Sequence, residues 1–215
     1  SKEGRPIKAK FKRGFEYSDC WVDDSRLVIL NARDAQDRGA TILPRVKLIK
    51  AERTKIYWNL TFQDQKTNQE WQQKARYLIN AAGPWVGSIL KENLGQVDMP
   101  LIRLVRGSHL VVKKQYDHEK AYFLQGRDGR IVFAIPYEQD FTLIGTTDVD
   151  HDSAQIKPVC TDEERDYLLE FVNLYFSKPV TKEDIVWCYS GIRPLYQDGA
   201  AVSASATRDY VLKAV

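Results

Sequence analysis

The chain has 215 residues, 43% of them hydrophobic and 28% charged, which suits a soluble protein with a sizeable core and excludes a disordered or fibrous one. Its 32 basic and 29 acidic residues leave a formal charge of +3, too small an excess to suggest a nucleic-acid partner. Cys20, Cys160 and Cys188 are too widely spaced for a disulfide framework, no metal-ligand pattern joins the three histidines, and no apolar run reaches the ~18 residues of a membrane span.

Residues 1–22 read as a linking segment, with the basic run KAKFKR as a solvated stretch. Asp23 and Asp24 offer N-caps to a helix over SRLVILNARDAQDRG, in which Leu27, Leu30, Asn31 and Asp34 recur at helical spacing and Gly39 marks the stop. ATILPRVKLIK is strand-like but interrupted by Pro44, and KIYWNLTF alternates Ile56, Trp58 and Leu60 against polar neighbours. The polar loop QDQKTNQE then leads into a returning strand, WQQKARYLINAA. These elements fit part of a cofactor domain around a parallel sheet, and Pro84 opens a short helix over residues 84–94 at a permitted first-turn position.

The character changes after GQVDMP. Residues 102–112 (IRLVRGSHLVV), AYFLQ, RIVFAIPY and FTLIGTT read as antiparallel strands, with turns at Gly126–Gly129 and Glu138–Asp140. TDEERDYLLEFVNLYFS reads as the helix covering one face, with a Thr161/Glu164 capping box and an apolar stripe of Leu168, Leu169, Val172 and Phe176. The strand IVWCYSGIRPLY, the loop QDGAAVSASA and TRDYVL follow. The fold class is therefore α+β, with residues 23–93 as a partial cofactor domain and 94–215 as a sheet-plus-helix substrate domain.

Few residues suggest chemistry by themselves. Arg193 stands at a strand end and Arg208 follows a small-residue loop; two planar guanidinium forks could converge on one anion, or be unrelated surface arginines. His109, inside the apolar run SHLVV, suits either a hydrogen-bonded core residue or a general base. IGTTD, residues 144–148, ends a strand with hydroxyls and a carboxylate and fits an Asx-type turn equally well. The acidic start TDEER needs no role beyond the helix macrodipole. His118 and His151 lie in polar loops and are expected to be exposed. The twelve glycines form neither G-x-G-x-x-G nor G-x-x-x-x-G-K-[ST], so the 215 residues hold no phosphate loop of either common kind.

Taken in order, GFEYSDCWVDDSRLVILNARDAQDRGA, NAAGPWV, IRLVRGSHLVV, RIVFAIPY, LIGTTDVD, DIVWCYSGIRPL and TRDY resemble the FAD-dependent glycerol-3-phosphate dehydrogenases of the aerobic, respiratory type, over residues 14–213. The resemblance implies the middle of such an enzyme, lacking the N-terminal flavin-binding loop and the C-terminal part, and inactive alone. It implies part of a glutathione-reductase-like FAD-binding domain plus an antiparallel-sheet substrate domain. It also implies oxidation of glycerol 3-phosphate with FAD as cofactor and electrons passing to quinone, in a cytoplasmic protein held peripherally at the membrane surface and forming a homodimer. By motif match, His109 and Arg193 would be catalytic, Arg193 and Arg208 would bind substrate, and Val46, Ala82 and Gly83 would line the cofactor, near Arg45 and the helix from Ser25. Ala82 stands where the family often has Thr, which removes a hydroxyl. An amino-acid or sarcosine-type oxidase of the same architecture is the alternative, with the arginines on a carboxylate.

Overall fold

The computed structural model describes residues 1–96, 102–127, 129–197, 206, 207, 209, 211 and 212. The chain divides into two units, one made of Gly14–Ala81 and Ser88–Val97, the other of Ser1–Arg13, Ala82–Gly87 and Asp98–Val215.

In the first unit, helix α1 (Asp24–Asp37) starts where expected: the Asp23 carboxylate accepts from the Arg26 amide at 3.0 Å, and Asp24 places a second negative charge in the first turn. No α1 residue is buried, and Leu27, Val28, Ile29 and Leu30 stay exposed. Strands β1 (Val46–Arg53), β2 (Trp58–Asp64) and β3 (Glu70–Ala75) form an antiparallel meander in that order. Its buried pair, Ala51 and Leu60, are cross-strand partners. The β2–β3 loop is closed by the Asp64 carboxylate, which accepts from the amides of Lys66 and Thr67.

One expectation fails here. The strand expected to run to Ala82 ends at Ala75, because its partner begins at Trp58, opposite Ala75; Tyr77 and Ile79 beyond it are largely exposed. The hairpin read over these residues is present as the antiparallel β2–β3 pair. Residues after Gly83 do form the short helix, as a 3-10 turn (Gly83–Trp85) running into α2 (Val86–Glu92).

The second unit is built on β4 (Ile102–Lys113). On one edge β4 pairs with β9 (Ile185–Tyr196) over nearly its whole length. On the other it pairs first with β8 (Val149–Asp150), at Val105 and Arg106, then with β7 (Phe141–Gly145), at His109 to Lys113. Strands β6 (Ile131–Tyr137) and β5 (Tyr122–Gln125) extend the sheet beyond β7. The turns use positive φ at Glu138, Gln139 and Gly129.

Helix α3 (Asp162–Asn173) covers one face. Both halves of its capping box are present, with Thr161 accepting from the Glu164 amide and Glu164 accepting from the Thr161 amide. Its buried residues Leu168, Leu169, Phe171 and Val172 meet Leu110, Val112, Val132, Ala134 and Ile144 of the sheet, with Phe176 and Val180 closing the core. Strand alternation sorts β4 into two sets: Ser108, Leu110 and Val112 point toward α3, and Gly107, His109 and Val111 point away from it.

Residues 1–13 belong to this unit, anchored by an Ile7–Phe176 bridge. His118, expected to be exposed, is buried: it stacks on Tyr116 at 4.5 Å, and its Nε2 lies 2.8 Å from the Tyr122 hydroxyl. The Tyr122 hydroxyl donates in turn to the Glu3 carbonyl, so a loop that reads as polar is roofed by the N-terminal segment. His151 is half-buried, with Nε2 3.0 Å from the Ile156 carbonyl.

Candidate active site

The sheet face turned away from α3 carries the residues that can do chemistry. One rung crosses five strands there, pairing Phe123 with Phe133, Phe133 with Gly145, Gly145 with His109, and His109 with Tyr189. The His109 imidazole lies nearly parallel to the Tyr189 ring at 5.0 Å, and Phe123 meets Phe133 edge-on at 5.3 Å. Gly145 is the small member of the rung for a reason. A Cβ built there would sit 2.7 Å from both Cγ and Nε2 of His109, so the imidazole leans across the strand over bare backbone.

The next pair on this face is Gly107 opposite Gly191, and beyond it Val105 faces Arg193. Arg193 reaches back along the sheet and lays its guanidinium over Gly107, where an added Cβ would stand 2.6 Å from Nη2 and 2.7 Å from Cζ. The guanidinium donates to Asp148 Oδ1 at 2.9 Å, Thr146 Oγ1 at 2.9 Å and the Thr147 carbonyl at 3.3 Å. Arg193 and Asp148 keep 28% and 21% of their side-chain surface exposed, so this ion pair is screened less than a surface one.

His109 and Arg193 are therefore brought to one face. Gly107 and His109 are successive residues on that face, about 7 Å apart along the strand. A planar cationic fork at one end and a titratable ring at the other can orient a small anion and exchange a proton with it. The alternative of an isolated surface arginine does not hold for Arg193. IGTTD is likewise more than a turn, because Thr146, Thr147 and Asp148 are the seat on which Arg193 rests.

The other expected residues are distributed differently. Arg208 lies outside the described residues, as do Tyr210 and most of the preceding loop; Ala206 is buried against Val105 and Leu195. Val46 opens β1 in the first unit and is half-buried. Ala82 and Gly83 belong to the second unit. Gly83 has φ +56 with nothing within 4 Å of an added Cβ, so this backbone is open to close approach.

Tyr189 and Glu164 were missed in the sequence. Tyr189 was legible in principle, because β9 alternates and places it on the face of Arg193. Glu164 was hidden by its capping box, which accounts for a glutamate at that position without any further role. It is 5% exposed, and its carboxylate accepts from Ser108 Oγ at 2.8 Å, Thr147 Oγ1 at 2.7 Å and Arg106 Nη2 at 3.1 Å. Burial works to raise its pKa, but these donors and the Thr161 amide outweigh burial and hold it below the ordinary value. The remaining signal was polar Ser108 in a position whose neighbours on the same face, Leu110 and Val112, are core.

Among the described residues no group of three His, Cys, Asp or Glu could hold a metal, and no helix is long and apolar enough to cross a membrane.

Residues 1–213 match the family described as FAD dependent oxidoreductase. A glycerol-3-phosphate dehydrogenase of Pseudomonas aeruginosa is 44% identical over 207 residues, 96% of this chain and 40% of that protein. A D-erythritol 1-phosphate dehydrogenase of Brucella abortus is 41% identical over 209 residues, 97% of this chain and 42% of that protein. The solved structure of a glycerol-3-phosphate dehydrogenase from Bacillus halodurans, complexed with FAD, aligns with a TM-score of 0.71 at 32% identity, over 83% of this chain and 36% of that one. The chain thus spans about 40% of the length of the curated relatives it matches.

Proposed function

We propose, from the premise that the chain belongs to the FAD dependent oxidoreductase family, that it is the central part of a dehydrogenase that oxidises the secondary alcohol of a polyol phosphate, glycerol 3-phosphate first among them. The observation that carries this reading is the Arg193 guanidinium lying flat over Gly107, one position along the same sheet face from His109. The 44% identity to a glycerol-3-phosphate dehydrogenase supports the substrate class.

The residues present fit a share of a flavin site. Gly83 offers backbone with open space where a Cβ would stand, and Ala82 and Gly83 would hold the cofactor there, while the 215 residues contain no glycine-rich phosphate loop. Bound FAD would supply acceptance of the C2 hydrogen as hydride. This chain's residues would do the rest. Arg193 holds the phosphate or the developing oxyanion through charge-assisted hydrogen bonds, with Arg208 as a second cation. His109 receives the C2 hydroxyl proton, its ring plane fixed by Tyr189 on one side and Gly145 beneath.

A second reading, a four-carbon polyol phosphate, is favoured by the 41% identity to the D-erythritol 1-phosphate enzyme. Both substrates share the phosphate ester that Arg193 would bind. The proposal extends, on the family resemblance, to electron transfer to quinone by a cytoplasmic homodimer docked peripherally on the membrane.

The test is turnover by the full-length protein of glycerol 3-phosphate and D-erythritol 1-phosphate, with a soluble quinone as acceptor. Oxidation of either ester, with KM raised by Arg193→Ala, supports the reading. A flavin-loaded protein that turns over neither, or that oxidises N-methyl amino acids instead, overturns it. The 215-residue chain alone is expected to purify without flavin and to be inactive.

A further inference from the structure

Behind the site, on the α3 face of the same strands, lies a polar cluster that the proposed chemistry does not use. Glu164 at its centre is buried, and its capping role needs only the Thr161 amide, which Oε2 accepts at 3.0 Å. Yet the carboxylate also takes Ser108, Thr147 and Arg106. A buried carboxylate is costly unless such donors surround it, so a helix cap alone does not explain why it is placed there.

The hydrogen directions in the cluster are determined. A carboxylate only accepts, so the hydroxyls of Ser108 and Thr147 both donate to Glu164 Oε1. With its hydrogen spent, Ser108 Oγ is the acceptor of its 2.7 Å contact with Ser190, which therefore donates. Thr147 Oγ1, donating to Glu164, accepts from the Ser108 amide at 2.9 Å. The Thr147 side chain is thus fixed in both directions.

That matters because of where Thr147 sits. On one edge of β4 the ladder runs to the His109–Gly145 pair and resumes at Arg106–Val149. Gly107 and Ser108 on β4 lie between these pairs, against Thr146, Thr147 and Asp148 on the other side. The ladder is interrupted there, and the Ser108 amide bonds the Thr147 hydroxyl instead. The same three residues supply the acceptors for Arg193: Thr146 Oγ1, the Thr147 carbonyl and Asp148 Oδ1.

We propose that Glu164 is a positioning residue for anion binding, acting from the opposite face of the sheet by clamping Thr147 and so setting the seat of the Arg193 guanidinium. The inference rests on the proposed function in taking Arg193 as the group that binds the substrate phosphate.

The test uses the full-length, flavin-loaded protein and measures KM and kcat for glycerol 3-phosphate together with inhibition by inorganic phosphate. Thr147→Val removes the clamped hydroxyl at nearly constant volume, and Thr147→Ser restores it. Glu164→Gln keeps one acceptor oxygen and puts an NH2 donor in place of the other, so the four donors around the group can no longer all be met. Thr147→Val and Glu164→Gln are expected to raise KM and the phosphate inhibition constant about ten-fold with kcat changed less than about three-fold, whereas Thr147→Ser stays within about two-fold of wild type. In an Arg193→Ala background, Glu164→Gln is expected to add no further rise.

Wild-type KM and phosphate inhibition in folded Glu164→Gln would overturn the proposal, as would equal effects of Thr147→Val and Thr147→Ser. If Glu164→Gln does not fold, the Thr147 pair decides alone. A separate failure is recognisable: if Arg193→Ala itself leaves KM and phosphate inhibition unchanged, the assignment of Arg193 falls, and the positioning role falls with it.

Discussion

Gly107→Ala probes whether the flat-lying guanidinium is what makes this face a site. An alanine Cβ would stand 2.6 Å from Nη2 and 2.7 Å from Cζ of Arg193. Comfortable heavy-atom contact begins near ~3.5 Å, so the guanidinium has to lift by about 0.8–0.9 Å. The Thr147 carbonyl bond, already 3.3 Å, would be tilted out of the guanidinium plane and weakened further, since such bonds weaken beyond ~3.2 Å and at poorer angles. The tip of an arginine can swing away, so the backbone need not distort, and the melting temperature should fall by only a few degrees, equivalent to about 1 kcal/mol or less. Catalysis should suffer more: a misplacement of ~1 Å is worth about 100-fold in kcat/KM, or roughly 2.7 kcal/mol of transition-state stabilisation. The assay is steady-state oxidation of glycerol 3-phosphate by the full-length protein, beside a thermal melt and a flavin count. Wild-type kcat/KM in a folded, flavin-replete Gly107→Ala would refute the reasoning. So would a full further loss when Arg193→Ala is added, because the two changes act on one guanidinium and should not add.

Gly145→Ala should cost more stability than Gly107→Ala, about 1–3 kcal/mol by urea unfolding, because its Cβ meets Cγ at the root of the His109 ring and not the end of a flexible chain. Leu168→Ala, at a fully buried α3 position, should lose about 2–5 kcal/mol in the same measurement while leaving KM unchanged. Cys160 should resist iodoacetamide at pH 8 while exposed Cys20 reacts, since burial shields Cys160 and pushes its thiol pKa up to about 11; peptide mapping of the labelled native protein checks this. The folded-state pKa of Glu164 lies below its ordinary 4.5, so its contribution is full above that value and is lost as pH falls through the folded pKa. Wild type should therefore lose more stability than Glu164→Gln between about pH 5 and pH 3, read from chemical unfolding at each pH.

Legibility in the sequence followed the range of the interaction that fixes each feature. The α1 start at Asp23, the Thr161/Glu164 capping box and the α3 stripe are set by neighbours within four residues, and each stands where its spacing puts it. Strand β4 was legible because its apolar run is long. The end of β3 was not, since it depends on where β2 begins, and a run such as RYLIN has strand composition but lies beyond the last β2–β3 pair. His118 looked exposed because its loop is polar, and its burial comes from Tyr122 and from Glu3, more than a hundred residues away. Arg193 and His109 could be singled out by residue type and family likeness. That they share a face required the β4–β9 register, which pairs Val105 with Arg193 and His109 with Tyr189. Glu164 was the hardest, because one local motif explained it and the partners that add a second role, Ser108 and Thr147, come from β4 and from the segment between β7 and β8.

The two faces of β4 divide the work in a way that strand geometry enforces. Residues 108, 110 and 112 serve α3, and residues 105, 107 and 109 serve the site, so a register slip of one residue would put Leu110 in the site and His109 in the core. Long side chains can lie flat on the site face only where the residues beneath them lack a Cβ. Gly107 and Gly145 meet that need by removing atoms, which is a different use from Gly83, whose positive φ sets the backbone course. With alanine or valine at 107 and 145, Arg193 and His109 would be forced upright, away from Thr146, Thr147 and Asp148 in one case and off the Tyr189 stack in the other. The glycines of this face are therefore as much a part of the candidate site as the charged residues they carry.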